Sequence, residues 1–164
     1  MRKPILYMLC GIPASGKTTW ANVFIASREI YNIDIHYVSR DEIRFTILKD
    51  GEDYFAHEDE VFNKFVDTIY ATLADGFDVI ADATHLNKKS RTKLINAIDK
   101  CGEIEYNIIF VWFHASFIVC SDRNAKREGR ARVPLETMYS MWHHFSIPSS
   151  KEDSRCIEVW EVGE

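Results

Sequence analysis

Apolar positions in this chain fall into two kinds of run. Ile5–Cys10, Val79–Ala81 and Ile108–Phe113 are short and continuously apolar, the mark of strands buried on both faces. Ile33, Ile35 and Tyr37 alternate with polar neighbours, so residues 32–38 read as another strand. Residues 156–162 alternate enough for a last one. Between them, apolar residues recur at helical spacing. The clearest stripe is Val61, Phe62, Phe65, Val66, Ile69 and Leu73; Leu94, Ile95 and Ile98 form a second, and Met138, Met141, Trp142 and Phe145 a third.

The punctuation agrees with these elements. Ser39 with Glu42 reads as a capping box, Asn87 and Ser116 as further N-caps, and Gly76 as a C-cap. Pro134 suits the first position of the last helix. Residues 49–60 read as a polar loop running into a helix whose acidic first turn, Glu58, Asp59 and Glu60, complements the dipole. Strands alternating with helices predict an α/β domain over 1–164, with a mainly parallel sheet and helices on both faces.

One connection changes this picture. Gly11-Ile12-Pro13-Ala14-Ser15-Gly16-Lys17-Thr18 fits G-x-x-x-x-G-K-[ST] at every defined position, between a predicted strand and a predicted helix. Gly11 and Gly16 allow backbone conformations that side chains forbid. The N–H groups of Ala14, Ser15, Gly16, Lys17, Thr18 and Thr19 then converge on a polyphosphate at a helix N-terminus. Lys17 is expected at the β- and γ-phosphates, and the Thr18 hydroxyl on Mg²⁺. The fold expectation sharpens to a three-layer P-loop NTPase fold binding ATP and Mg²⁺.

Composition narrows the classes. At 164 residues, 46% hydrophobic and 27% charged, the chain reads as an ordinary globular domain. The longest clear apolar run is Ile108–Phe113, too short for a membrane span, so no membrane association is expected. Cys10, Cys101, Cys120 and Cys156 make no metal or disulfide spacing and point to a reducing cytoplasm. The formal charge of −5 argues against a broad nucleic-acid-binding face. Yet residues 85–132 carry 10 basic against 5 acidic groups. Within that segment Lys88, Lys89, Arg91 and Lys93 read as a solvated helix face.

Phosphoryl transfer needs charge neutralised on the moving group, an acceptor held in line and a base for its proton. Asp41 opens a helix just past a strand end, where the crevice of an open α/β sheet lies, and is placed to take a hydroxyl proton. Arg44, one turn on, suits a fixed anion on the acceptor or a structural pair with Asp41 or Asp82. Asp82 and Thr84 close a strand at the same crevice. Arg123 and Arg127, i and i+4 on one predicted helix beside Gly129, form a candidate lid over phosphates. A kinase is the economical reading. Its acceptor is a polynucleotide end or a small alcohol, and a non-catalytic nucleotide switch is the alternative to a kinase.

The set Gly11–Ala21, Ser39–Arg44, Asp82–Asn87 and Arg123–Arg127 followed by Val133-Pro134 resembles the polynucleotide 5′-kinase family, the kinase module of phage-type and bacterial end-healing enzymes. The resemblance implies Asp41 as general base on a 5′-hydroxyl. It implies Arg44 and Thr84 near the acceptor phosphate, with Asp82 orienting neighbours. Arg127 would contact the donor phosphates in the transition state, with Arg123 nearby. The acceptor partner would be a 5′-hydroxyl polynucleotide, with phosphatase or ligase modules as separate partners. His85 stands where the family often has Asn, and Arg130 and Arg132 are additional lid arginines. His36, His57, His143 and His144 lack partner spacing, and the four tryptophans read as packing residues.

Overall fold

The computed structural model describes residues 2–163. Five strands, β1 (Ile5–Cys10), β2 (Ile35–Ser39), β3 (Asp78–Asp82), β4 (Asn107–His114) and β5 (Cys156–Gly163), form one sheet in the order β2-β3-β1-β4-β5. Every pairing is parallel. A parallel pair needs a crossover between its strands. Here the crossovers carry α1 (Lys17–Glu29), α2 (Arg40–Ile47), α3 (Glu58–Ala74), α4 (Lys88–Cys101), α5 (Phe117–Ala125) and α6 (Leu135–His144). The result is the three-layer P-loop arrangement expected from the sequence.

Period-2 geometry divides β1 between two cores. Leu6, Met8 and Cys10 face α3 and α4, packing with Phe65, Ile69, Leu94 and Ile98. Tyr7 and Leu9 face α1 and pack with Ala21, Ile80 and Val111, beside Trp20 and Phe24. A smaller cluster of Ile12, Cys120 and Met138 sits beneath the loop after β1. Trp20 stacks on Phe24 at 4.7 Å between centroids and meets Trp160 edge-on, so both work as packing residues.

The element ends show where local chemistry and expectation part. Ser39 accepts from the Glu42 N–H, but only that half of the capping box forms. Asn87 makes the full reciprocal cap, with Ser90 as its partner. Pro134 precedes the first turn of α6 instead of occupying it, and Phe145 lies just past the end. Helix α5 stops at Ala125, so Arg123 and Arg127 do not share a helix face. The solvated-face reading of α4 fails at Arg91, which is 1% exposed. Its guanidinium donates to both carboxylate oxygens of Glu152 at 2.8 and 3.0 Å, and to the His85 and Ser146 carbonyls. Charge on a polar helix face gave no sign of this partner, which lies sixty-one residues away. Among the described residues, no helix is long and apolar enough to cross a membrane.

Candidate active site

The carboxyl ends of the parallel strands open on a cleft of about 840 Å³. The position follows from topology. β1 is central, so the loop leaving it lies mid-sheet, and the connections after β2 and β3 flank it on one side. Asp41 and Arg44 come from the β2 side, Asp82 and Thr84 from the end of β3, and Phe113 and Gly163 from β4 and β5.

Residues 13–19 line the middle of this cleft. Gly16 takes φ +99°, a region that side chains strain to enter, directly before α1. Ala14 also has positive φ, at 64°. At Gly11 the constraint is space, since a Cβ there would stand 2.6 Å from Ser15 Oγ. Lys17 is buried and folds back so that Nζ donates to the carbonyls of Gly11 and Ile12, at 3.0 and 2.9 Å. Burial draws this ammonium below the ordinary lysine range, and the nearby Asp82 carboxylate opposes that. Ser15 Oγ is buried and finds no hydrogen-bond partner among the described residues. A desolvated cation, an orphaned hydroxyl and left-handed backbone at a helix N-terminus together fit a polyphosphate.

Beside the loop, Thr18 Oγ1 donates to Asp82 Oδ2 at 3.3 Å, and the Tyr37 hydroxyl donates to the same oxygen. Burial and the Asp82 carboxylate push the Tyr37 phenol well above its usual range, so it stays a donor. A threonine hydroxyl and one carboxylate are what a phosphate-borne Mg²⁺ asks of a protein. Among the described residues no group of three or more His, Cys, Asp or Glu side chains is arranged to hold a metal ion. Asp82, expected among the acceptor contacts, lies beside the Thr18 hydroxyl at the phosphate end of the cleft.

On the β2 side, Arg44 is buried and nearly saturated. Its Nε and Nη2 meet Glu58 Oε1 at 2.9 and 2.7 Å, and Nη1 meets Asp41 and the Tyr54 hydroxyl, the latter at 2.6 Å. Of its two foreseen structural partners, Asp41 is present and Asp82 is not. Tyr54 in turn donates to Asp41 Oδ1 at 2.5 Å. Glu58 also binds Arg40 at 2.9 Å, so this residue does more than complement the dipole of α3. Tyr54 and Glu58 were both missed, since a tyrosine in a polar loop and an acid in a first turn carry no motif. Thr84 lines the cleft, and its carbonyl accepts from the Gly11 N–H at 2.9 Å.

The four candidate lid arginines separate. Arg123 and Arg127 line the cleft, and Arg123 Nη1 donates to the Ala14 carbonyl at 3.3 Å. Arg132 turns back, donating to the carbonyls of Ala125 and Arg127. Arg130 crosses to α2, its guanidinium carbon 5.4 Å from the Phe45 ring centroid. The base of the segment is clamped by Asn124, whose amide bonds Val133 N–H at 2.9 Å and Val133 C=O at 2.6 Å. His85 lies beneath the loop, buried, with Nδ1 donating to the Leu9 carbonyl at 2.6 Å. His57 does have a partner, Glu52, at 3.0 Å.

A family model described as an AAA domain matches residues 6–148. L-seryl-tRNA(Sec) kinase of Methanococcus maripaludis is 27% identical over 149 residues, covering 90% of this chain and 54% of the relative. The chain thus spans about half the length of that curated relative. Among solved structures, Chaetomium thermophilum Kti12 in complex with ADP-AlF3 superposes with a TM-score of 0.67 at 15% identity, over 96% of this chain and 88% of that one. A chain of the Pnkp1/Rnl/Hen1 RNA repair complex gives a TM-score of 0.70 at 22% identity, over 88% of this chain and 44% of that one. At these identities the two structures bear on the fold alone.

Proposed function

We propose that this chain, which belongs to the AAA domain family, is an ATP-dependent kinase whose acceptor is the 5′-hydroxyl end of a polynucleotide. One observation carries the reading. The Asp41 carboxylate opens on the same cleft as Lys17 and Thr18, across the carboxyl ends of one parallel sheet. A switch protein has no use for a base held there by a tyrosine and an arginine.

The residues divide the work. The amides of residues 14–19 and the Lys17 ammonium hold the donor's β- and γ-phosphates. Thr18 and Asp82 hold Mg²⁺, which when bound neutralises charge on the phosphate oxygens. Asp41 takes the acceptor proton on Oδ2, its Oδ1 being occupied by Tyr54 and Arg44. Arg44 and Thr84 face the phosphate next to the acceptor nucleoside. Arg127, with Arg123 beside it, reaches the transferring group from the lid.

The finer substrate assignment rests on the resemblance of Ser39–Arg44 and Arg123–Arg127 to polynucleotide 5′-kinases. A relative named L-seryl-tRNA(Sec) kinase supports a kinase whose substrate includes RNA. Incubation with γ-labelled ATP, Mg²⁺ and 5′-hydroxyl DNA or RNA oligonucleotides should move label to the 5′ end. Transfer only to free nucleosides or sugars would replace this acceptor with a small alcohol. ATP binding with transfer to nothing would replace the kinase with a switch.

A further inference from the structure

Two aromatic rings line the Asp41 end of the cleft and a third packs against one of them, and the proposed chemistry uses only the hydroxyl of Tyr54. Tyr54 and Phe55 lie in the connection between α2 and α3 and line the cleft together with Asp41. Phe45, on α2, is the third. Phe55 stands edge-on to Tyr54 at 4.7 Å between centroids, and Phe45 lies 6.2 Å from Tyr54. Arg44 covers one face of Tyr54, 4.2 Å from its centroid. Phe55 is 51% exposed and Phe45 36% exposed, so neither ring is spent on the core. The lid reaches the same place through Arg130 over Phe45.

Resting on the kinase reading, we infer that Phe55, with Phe45 and Tyr54 behind it, is a stacking shelf for the terminal nucleobase of the acceptor. The placement argues for a base and against a generic apolar contact. The shelf adjoins the proposed proton acceptor, so a group lying on it sits beside the reacting hydroxyl. It also adjoins Arg40 and Arg44, cations suited to a phosphate. A ring, a hydroxyl and a phosphate within one residue's reach describe a nucleotide. Every base has a π-face, so such a shelf binds ends of any sequence, and a guanidinium such as Arg130 can add to the stack from the lid. It also lets an acidic chain bind a polyanion through one terminal residue instead of a basic surface.

The test pairs substrate and protein deletions. Steady-state transfer from ATP is measured on two 5′-hydroxyl oligonucleotides, one with an intact terminal nucleotide and one with that nucleotide abasic. For the unmodified chain, loss of the base should raise the acceptor KM about tenfold with little change in kcat. Phe55→Ala should raise the KM for the intact end by about the same factor and make the two ends equivalent. Phe55→Trp should restore the difference, while Phe55→Leu, apolar but not aromatic, should not. Phe55 is half exposed, so these variants leave the core untouched, and Phe45→Ala gives an independent reading of the same shelf. Equal KM values for both ends in the unmodified chain overturn the shelf and leave the kinase reading standing. Absence of transfer to either oligonucleotide overturns the acceptor assignment and the shelf with it.

Discussion

Thr18 and Asp82, sixty-four residues apart in sequence, meet at 3.3 Å through the threonine hydroxyl and a carboxylate oxygen. The meeting is a product of sheet order. β3 pairs directly with β1, in parallel, so the last residue of one strand faces the loop that leaves the other. Asp82→Asn keeps the shape and removes the charge. The Mg²⁺ concentration giving half-maximal transfer should rise about 10–100-fold, the usual cost of losing a group that supports a bound metal. Nucleotide affinity measured without Mg²⁺ should change little. An unchanged Mg²⁺ requirement would place Asp82 outside the metal site.

The Arg91–Glu152 pair predicts a stability effect independent of chemistry. Both side chains are buried, at 1% and 7% exposure, and together they fasten the segment after α6 to the start of α4. Arg91→Ala leaves a buried carboxylate without its partner and should cost about 3–5 kcal/mol in urea unfolding. Replacing both by apolar residues of similar volume, Arg91→Met with Glu152→Leu, should recover most of that loss. A double variant as unstable as the single one would mean that Arg91 acts mainly through its bonds to the His85 and Ser146 carbonyls.

His85 predicts a pH dependence. Burial lowers its pKa to about 4, and the bond to the Leu9 carbonyl opposes that only in part. The unfolded chain takes up this proton near pH 6.5, whereas the folded protein does so near pH 4. Between those values the unfolded state binds more protons, so stability falls as pH falls. From pH 7 to pH 5 this one group should remove about 2 kcal/mol. The backbone at His85 has φ 40°, which asparagine tolerates best among non-glycine residues. His85→Asn should therefore fold and show a flatter decline in urea midpoint over that range. An equal decline in both proteins would assign it to carboxylates elsewhere.

Much of this was legible in the chain. Strand–loop–helix order with Gly16, Lys17 and Thr18 announced the fold, and all three residues line the cleft. Ser39 and Asn87 announced their helices, because a cap is a local event. What the sequence could not carry was pairing at a distance. Asp41 is readable as an acid past a strand end, but its tie to Tyr54 depends on how the 48–57 connection folds back across α2. Arg91 sits among lysines on a polar helix, and only the path of the chain after α6 buries it. Arg123 and Arg127 looked like one helix face because spacing says nothing about where a helix stops. Helix α5 stops at Ala125, and Arg127 reaches the cleft from the connection that follows it.

In the proposed reaction Asp41 and the phosphate loop act together. Single-turnover transfer from γ-labelled ATP to a 5′-hydroxyl oligonucleotide, comparing the unmodified chain with Asp41→Asn, tests it most directly when ATP affinity is measured in parallel. The rate should fall about 10²–10⁴-fold, the contribution of a general base, with ATP affinity unchanged. Transfer by Asp41→Asn at the unmodified rate would contradict the account.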